Sequence, residues 1–310
     1  MNKENKEKIL GLGHYGDAYK EDYEIITSHF KSALLRFCLL IENPQSPKTE
    51  LIAIILQYFD FATALFSKEA ISRILDGKSA NLYYHNKHHA VYQAGFDAVQ
   101  VARGIMMRHD FLSKNLTLEG MLAIVLGALY YDTGYVTAEK NPQNYAALTP
   151  VHVEASKKTF QQAVNFLGLP EGIDKEKVIK LGTIGIHNTY FPFTEERKME
   201  RQKLLDNFKT PEEKKDAMIV ALSVQLADLG GQVARVDYFP TLLKNLREEM
   251  EAANPGSGIQ IIGQDHELAK KCRGFLDFVV IPTVGKTANA FLGKNNAFSK
   301  AFEKNSPFGI

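Results

Sequence analysis

Cysteine is almost missing from this chain of 310 residues: Cys38 and Cys272 are the only two. Two cysteines make no disulfide framework, and they suit a reducing, cytoplasmic setting. An excess of charge is missing as well, because 37 Lys and Arg face 36 Asp and Glu, for a formal net charge of +1. That balance argues against a nucleic-acid polymer or an anionic membrane surface as partner. Long apolar runs are also absent. The two longest, 51–66 (broken by Asp60) and 121–131, fall short of the roughly 20 residues that span a bilayer and read as buried core helices. The opening MNKENKEKIL alternates charge and lacks the apolar core of a secretion signal. Period-two alternation hardly occurs, and no repeat or low-complexity stretch is evident. What remains is the composition of a soluble globular protein, 45% hydrophobic and 24% charged, long enough to bury a substantial core.

Helical spacing dominates the chain. Over 21–42 the residues Ile25, Phe30, Leu34, Leu35 and Leu39 fall on one stripe. The loop Asn43–Pro47 ends it, with Ser46 and Pro47 suited to N-cap and N1 of a helix running to about Phe66. Ser67 is suited to cap a further short helix ending near Gly77. This first portion, 1–77, carries no clustered polar chemistry and reads as a helical flank to a domain at 78–310.

Further on, Thr117 is placed as N-cap of an apolar helix at 118–131, and a helix opens at His152. Another spans about Lys175 to His187, and a charged, solvated helix follows in FTEERKMERQKLLDNFK. Thr210-Pro211-Glu212-Glu213 combines an N-cap, a proline at N1 and a glutamate at N3, the elements of a capping box. The helix it opens runs toward Asp228. Asn254–Gly258 reads as a linker. The expected fold is all-α, a multi-helix bundle.

The densest chemistry lies in NLYYHNKHHA, where Tyr84, His85, Asn86, His88 and His89 fall within six residues. Imidazole serves both as a metal ligand and as a proton carrier near neutral pH. His85 and His89 are four apart, which on a helix puts them on one side. Two further outliers are acids at the ends of apolar helices, Asp132 and Asp228. Buried ionisable groups are costly unless paired or bound to metal, and helices that converge their polar ends can supply nitrogen and oxygen ligands to one divalent ion. His152 with Glu154 at a helix start reads equally as capping and as site lining, whereas His187 at a helix end reads more as a structural residue than as a ligand.

The ordered set resembles the class I cyclic-nucleotide phosphodiesterases, an all-helical branch of the HD-domain phosphohydrolases. Tyr84-His85-Asn86 followed by His89-Ala90 is similar to their Y-H-N-x-x-H-A signature. ALYYDTGY stands where the family has its H-D pair, LADLGG resembles the later A-D-L, and CRGFLDFVVIP resembles the helix that lines the base pocket. These four landmarks span about 79–290. The resemblance implies a compact HD-type bundle and a divalent ion (Mg, Mn, Zn or Fe) held by His89, Asp132 and Asp228. It implies His85 as proton donor to the leaving oxygen, Tyr84 beside it, Phe275 stacked on a purine, and a small phosphate ester or nucleotide as substrate.

Three positions depart from that pattern. Tyr131 replaces the histidine of the H-D pair. Thr133-Gly134-Tyr135 stands where a second histidine is expected. Cys272 replaces the glutamine that reads the purine edge, and thiol is a poor partner for it. Tyr131 has three readings: a phenolate ligand, a phenol whose oxygen takes the vacated metal position and bonds Asp132, or a bystander while His152 or His187 replaces the lost ligand. The function expected is metal-dependent hydrolysis of a phosphate ester, and the alternative is a catalytically degenerate relative that binds a nucleotide or a protein partner.

Overall fold

Side-chain capping marks three helix starts in the computed structural model, which describes residues 23–41, 48–75, 85, 88–108, 114–137, 151–190, 195–230, 285–293 and 300. Every regular element among these is helical: α1 (Tyr23–Cys38), α2 (Lys48–Leu75), α3 (Ala94–Met106), α4 (Leu118–Tyr130), α5 (Gly134–Thr137), α6 (His152–Leu167), α7 (Lys175–His187), α8 (Glu195–Leu205), α9 (Pro211–Gln225) and α10 (Lys286–Leu292). Two π-helical turns, His88–Gln93 and Leu226–Gly230, lead into α3 and continue α9. The all-α fold expected from the spacing is the fold observed.

Local chemistry explains the boundaries. Thr117 accepts from the Gly120 N–H at the start of α4, and Asp174 accepts from the Lys177 N–H at the start of α7. At α9, Thr210 and Glu213 satisfy each other's backbone donors in the capping box, with Pro211 at N1. Such a cap stabilises a helix by about 1 kcal/mol.

Three of these helices run parallel. Their starts are tied together by Asp216 of α9. Its carboxylate accepts from the Thr117 hydroxyl at 2.6 Å and lies 3.8 Å from Lys177, which also pairs with Glu119 at 3.2 Å. Farther along, a Cβ on Gly127 of α4 would touch the Gly182 backbone of α7 and Val224 of α9, all at ordinary contact distance. At the far ends, the Asn188 side-chain amide donates to the Ala221 carbonyl and Gln225 donates to the Asn188 carbonyl. So α4, α7 and α9 send their C-termini to one end of the bundle. α6 runs the other way, with the Phe160 ring seated on Gly182, and brings its N-terminus to that same end. α3 also starts there and packs its Gly95 against Leu129 of α4.

Asp216 is buried, and burial pushes its carboxyl above the ordinary range while the Thr117 hydrogen bond and Lys177 oppose this. Replacing it by alanine removes the tie between three helix starts. We expect Asp216→Ala to cost about 1–3 kcal/mol, read as a fall in the urea midpoint at unchanged slope.

The first 77 residues depart from expectation in two places. α1 buries Phe30, Leu34 and Phe37, but Leu35 and Leu39 face outward; the stripe is narrower than the spacing implied. α2 does not stop at Phe66. It runs through Ser67 to Leu75, because serine in a helix interior costs only a few tenths of a kcal/mol and breaks nothing. Within this helix, Thr49–Phe66 is apolar and long enough, by composition and length, to cross a membrane, with 39% of that stretch buried. The expectation that this run is too short to span is therefore corrected. α2 packs its Leu51, Ile55, Tyr58, Phe59 and Ala62 into the common core. The Tyr58 hydroxyl donates to the Gly168 carbonyl at 2.8 Å, and Tyr130 of α4 donates to the Tyr58 carbonyl at 3.2 Å. The linker expected at 254–258, the apolar helix expected at 272–284 and the loop at 43–47 lie outside the described residues.

Candidate functional site

The end of the bundle where α4, α7 and α9 finish is also where its buried polar groups gather. A helix C-terminus carries about half a negative charge and an N-terminus about half a positive one, so the three C-termini are partly offset by the starts of α3 and α6, and the buried side chains decide the local charge. Asp132 follows α4 by two residues, Asp228 sits on the π-helical turn after α9, and His89 sits on the one before α3. π-Helical turns insert one residue into the helical ladder and are frequent at functional sites. Here each carries one of the three expected ligands.

These three groups meet. His89 Nε2 lies 3.9 Å from Asp132 Oδ2 and 3.8 Å from Asp228 Oδ1, and all three side chains are buried. His152, first residue of α6, brings its Nε2 to 3.5 Å from the other Asp132 oxygen. Tyr131 is buried beside them, and its hydroxyl is hydrogen-bonded to His89 Nε2 at 2.9 Å. The same hydroxyl also bonds Asp228. The hydroxyl thus stands at the imidazole nitrogen, with Asp228 as an acidic partner.

His85 precedes the helical turn, which begins at His88, so the four-residue spacing does not put the pair on one helix. The two rings still approach, with centroids 6.0 Å apart. What orients His85 is Tyr135 of α5. His85 stacks on one side of the Tyr135 ring at 4.2 Å, and His152 stacks on it at 4.3 Å. Tyr135 is itself buried, whereas His85 stays partly exposed. This ladder depends on Gly134. A Cβ there would stand 1.8 Å from the His152 carbonyl oxygen, and the Gly134 N–H donates to the Ser156 hydroxyl at 2.8 Å. Neither Tyr135 nor Ser156 stood out from spacing; the polar, aromatic run YYDTGY beside Asp132 was the available signal.

Burial dominates the electrostatics. It holds the His89 imidazole neutral, pushed down to about 3, with charge on His85 adding to the effect and a Gln93 hydrogen bond opposing it. The two carboxylates near His89 Nε2 pull the other way, so the direction rests on the complete burial of the ring. Asp228 is pushed well above the ordinary carboxyl range, first by burial and then by the neighbouring Asp132 carboxylate, while His85 and the Tyr131 hydroxyl oppose. Neutral imidazole between two mutually repelling carboxylates is a donor set that a divalent cation would relieve.

Two ligands of one tetrahedral ion stand about 3.4 Å apart. The separations of 3.8 and 3.9 Å are thus wider by roughly half an ångström, and the Tyr131 hydroxyl stands at the nitrogen. Accordingly, among the described residues no group of three His, Cys, Asp or Glu closes into a finished metal cage. The donor types fit a divalent ion after a small contraction and a displaced hydroxyl.

The remaining candidates divide. His187, the last residue of α7, is buried against Tyr190 with ring centroids 5.3 Å apart. It belongs to a polar cluster in which burial and then Lys157 lower its pKa, while the Arg197 backbone, Glu154 and Glu200 oppose. Arg197 stacks on the Tyr190 ring at 3.7 Å. No contact among the described residues joins His187 to Asp132 or Asp228. His88 packs edge-on against Tyr92 at 5.1 Å. Tyr84, Cys272 and Phe275 lie outside the described residues. No family model, no curated protein and no solved structure matches this chain.

Proposed function

We propose that this chain hydrolyses a small phosphate ester, a nucleotide or cyclic nucleotide among the candidates, with a divalent cation held by His89, Asp132 and Asp228. The observation that carries the reading is the convergence of one neutral imidazole and two carboxylates, from three separate segments, within 3.9 Å. A cation bound there would lower the pKa of a water molecule toward neutrality and offset phosphate charge. The protein's own contribution is positioning. His85, partly exposed at the rim and stacked on Tyr135, is oriented to hand a proton to a departing oxygen. His152 holds the second Asp132 oxygen at 3.5 Å, which fixes that carboxylate's rotation.

The Tyr131–His89 hydrogen bond favours a second reading, a metal-poor relative that binds a nucleotide or a protein partner without turnover. One experiment separates the two. Purified protein supplied with Mg, Mn, Zn or Fe is assayed on cyclic nucleotides, a generic phosphodiester and a generic monoester. We expect turnover that chelator abolishes and that His85→Ala lowers by about 10²–10⁴-fold. Inactivity with every metal and substrate would sink the first reading, and nucleotide-induced thermal stabilisation of that inactive, metal-free protein would support the second.

A further inference from the structure

We infer that Tyr131 sets the metal affinity of this site by competing with the cation for His89, so that the phenol is a plug rather than a ligand. The inference rests on the metal reading above and concerns how the site is regulated. Its basis is where the hydroxyl stands. A metal bound by His89 Nε2 would have to lie where the Tyr131 hydroxyl now stands, 2.9 Å from that nitrogen, whichever of the two carries the shared proton. The two carboxylates flank the same nitrogen at 3.8 and 3.9 Å, as ligands gathered around a shared ion would. The hydroxyl, by contrast, sits between donors, since it bonds Asp228 as well.

Covalent structure keeps it there. Tyr131 is the residue immediately after α4, adjacent in sequence to Asp132, and is almost wholly buried. Its ring meets His89 edge-on with centroids 6.1 Å apart, so the phenol cannot leave His89 without a rotation that the surrounding core must accommodate. Side-chain length also matters. An imidazole at 131 would end roughly 2 Å short of the phenol oxygen, about one metal–nitrogen bond. A histidine there would border an ion where the tyrosine overlaps it.

Competition and ligation predict opposite signs for one substitution. The full-length protein is stripped with chelator, and Mn²⁺ and Zn²⁺ binding are measured by equilibrium dialysis for wild type, Tyr131→Phe and Tyr131→His. Circular dichroism checks that each variant is folded. A plug predicts that Tyr131→Phe binds about tenfold tighter than wild type, and that Tyr131→His gains more, within the range of about 10–100-fold by which groups contacting metal ligands tune affinity. Wild type should also show a phenol difference spectrum on metal addition that Tyr131→Phe lacks. Equal or weaker binding by Tyr131→Phe, with wild type still binding, overturns the plug and leaves the metal reading standing. Failure of all three proteins to bind either ion overturns both.

Discussion

Gly134→Ala should be among the most damaging single substitutions in this chain, costing about 3 kcal/mol or more of stability. The reason is a contact, not backbone freedom. The added methyl would stand 1.8 Å from the His152 carbonyl oxygen and 2.8 Å from the His152 Cα. Both are backbone atoms at the start of α6, so relief requires moving that helix end relative to α5. The displacement would separate Tyr135 from His152 and His85, and His152 from Asp132. Thermal or urea unfolding reads the stability loss directly. If the chain has the phosphoesterase activity proposed above, even a variant rescued by low temperature should show less of it. A wild-type midpoint would mean that α5 and α6 approach less closely than described.

Asp228→Asn separates function from stability with opposite signs. If Asp228 holds the cation, neutralising it should remove stoichiometric metal and lower turnover by about 10³-fold or more. In the metal-stripped protein, the same change should stabilise. The carboxyl is held well above its ordinary range by burial and by Asp132, so its ionised form is a cost to the folded state near neutral pH. The sign follows: a raised carboxyl pKa favours the folded state at low pH, and that advantage is lost as pH rises through the folded value. Asparagine keeps an oxygen to accept from Tyr131 and carries no charge. Its gain should therefore be about 1–3 kcal/mol at pH 7–8 and should vanish below about pH 4, where the aspartate is protonated folded or unfolded. Parallel unfolding curves of chelator-treated proteins across that range test it. Destabilisation at pH 7 would mean that attraction to His89 outweighs burial.

On the metal reading, such a trade would explain why the site carries two carboxylates beside one imidazole, whose cost His85 and Tyr131 offset in part. The legible parts of this arrangement were those governed by nearby residues. Thr117 and the Thr210–Glu213 box announce helix starts through side chains that bond backbone three residues away. Asp132 and Asp228 drew notice because an acid at the end of an apolar helix has no bland reason to be there. The parts that could not be read depend on distance in the chain. Nothing local marks Tyr135 as the ring between His85 and His152, since its partners lie 50 residues before it and 17 after it in the numbering. The π-helical turns are equally silent, because an extra residue in a turn has no compositional signature. Leu35 and Leu39 were misplaced because apolar residues at helical spacing fit a broad stripe as well as a narrow one.

Tyr131 shows a middle case. Its identity was evidently unusual from its place before Asp132, yet which atom its hydroxyl would meet required the path of three helices. The hydrogen bond to His89 follows from where α4 ends together with the reach of the phenol.

The two π-helical turns have a consequence for how this chain tolerates change in length. Each holds one residue more than a regular helix would need, and each carries a donor, His89 or Asp228. Deleting a single residue from either turn would restore a plain α-helical path and re-aim the side chains within the turn itself, because the extra residue is absorbed there. The helix would survive as a helix while its donor swung away from the other two. For most of a helical bundle, side-chain chemistry decides what a mutation does. At these two turns the residue count decides, and an insertion or deletion there would act as a switch on the site while leaving the composition of the core untouched.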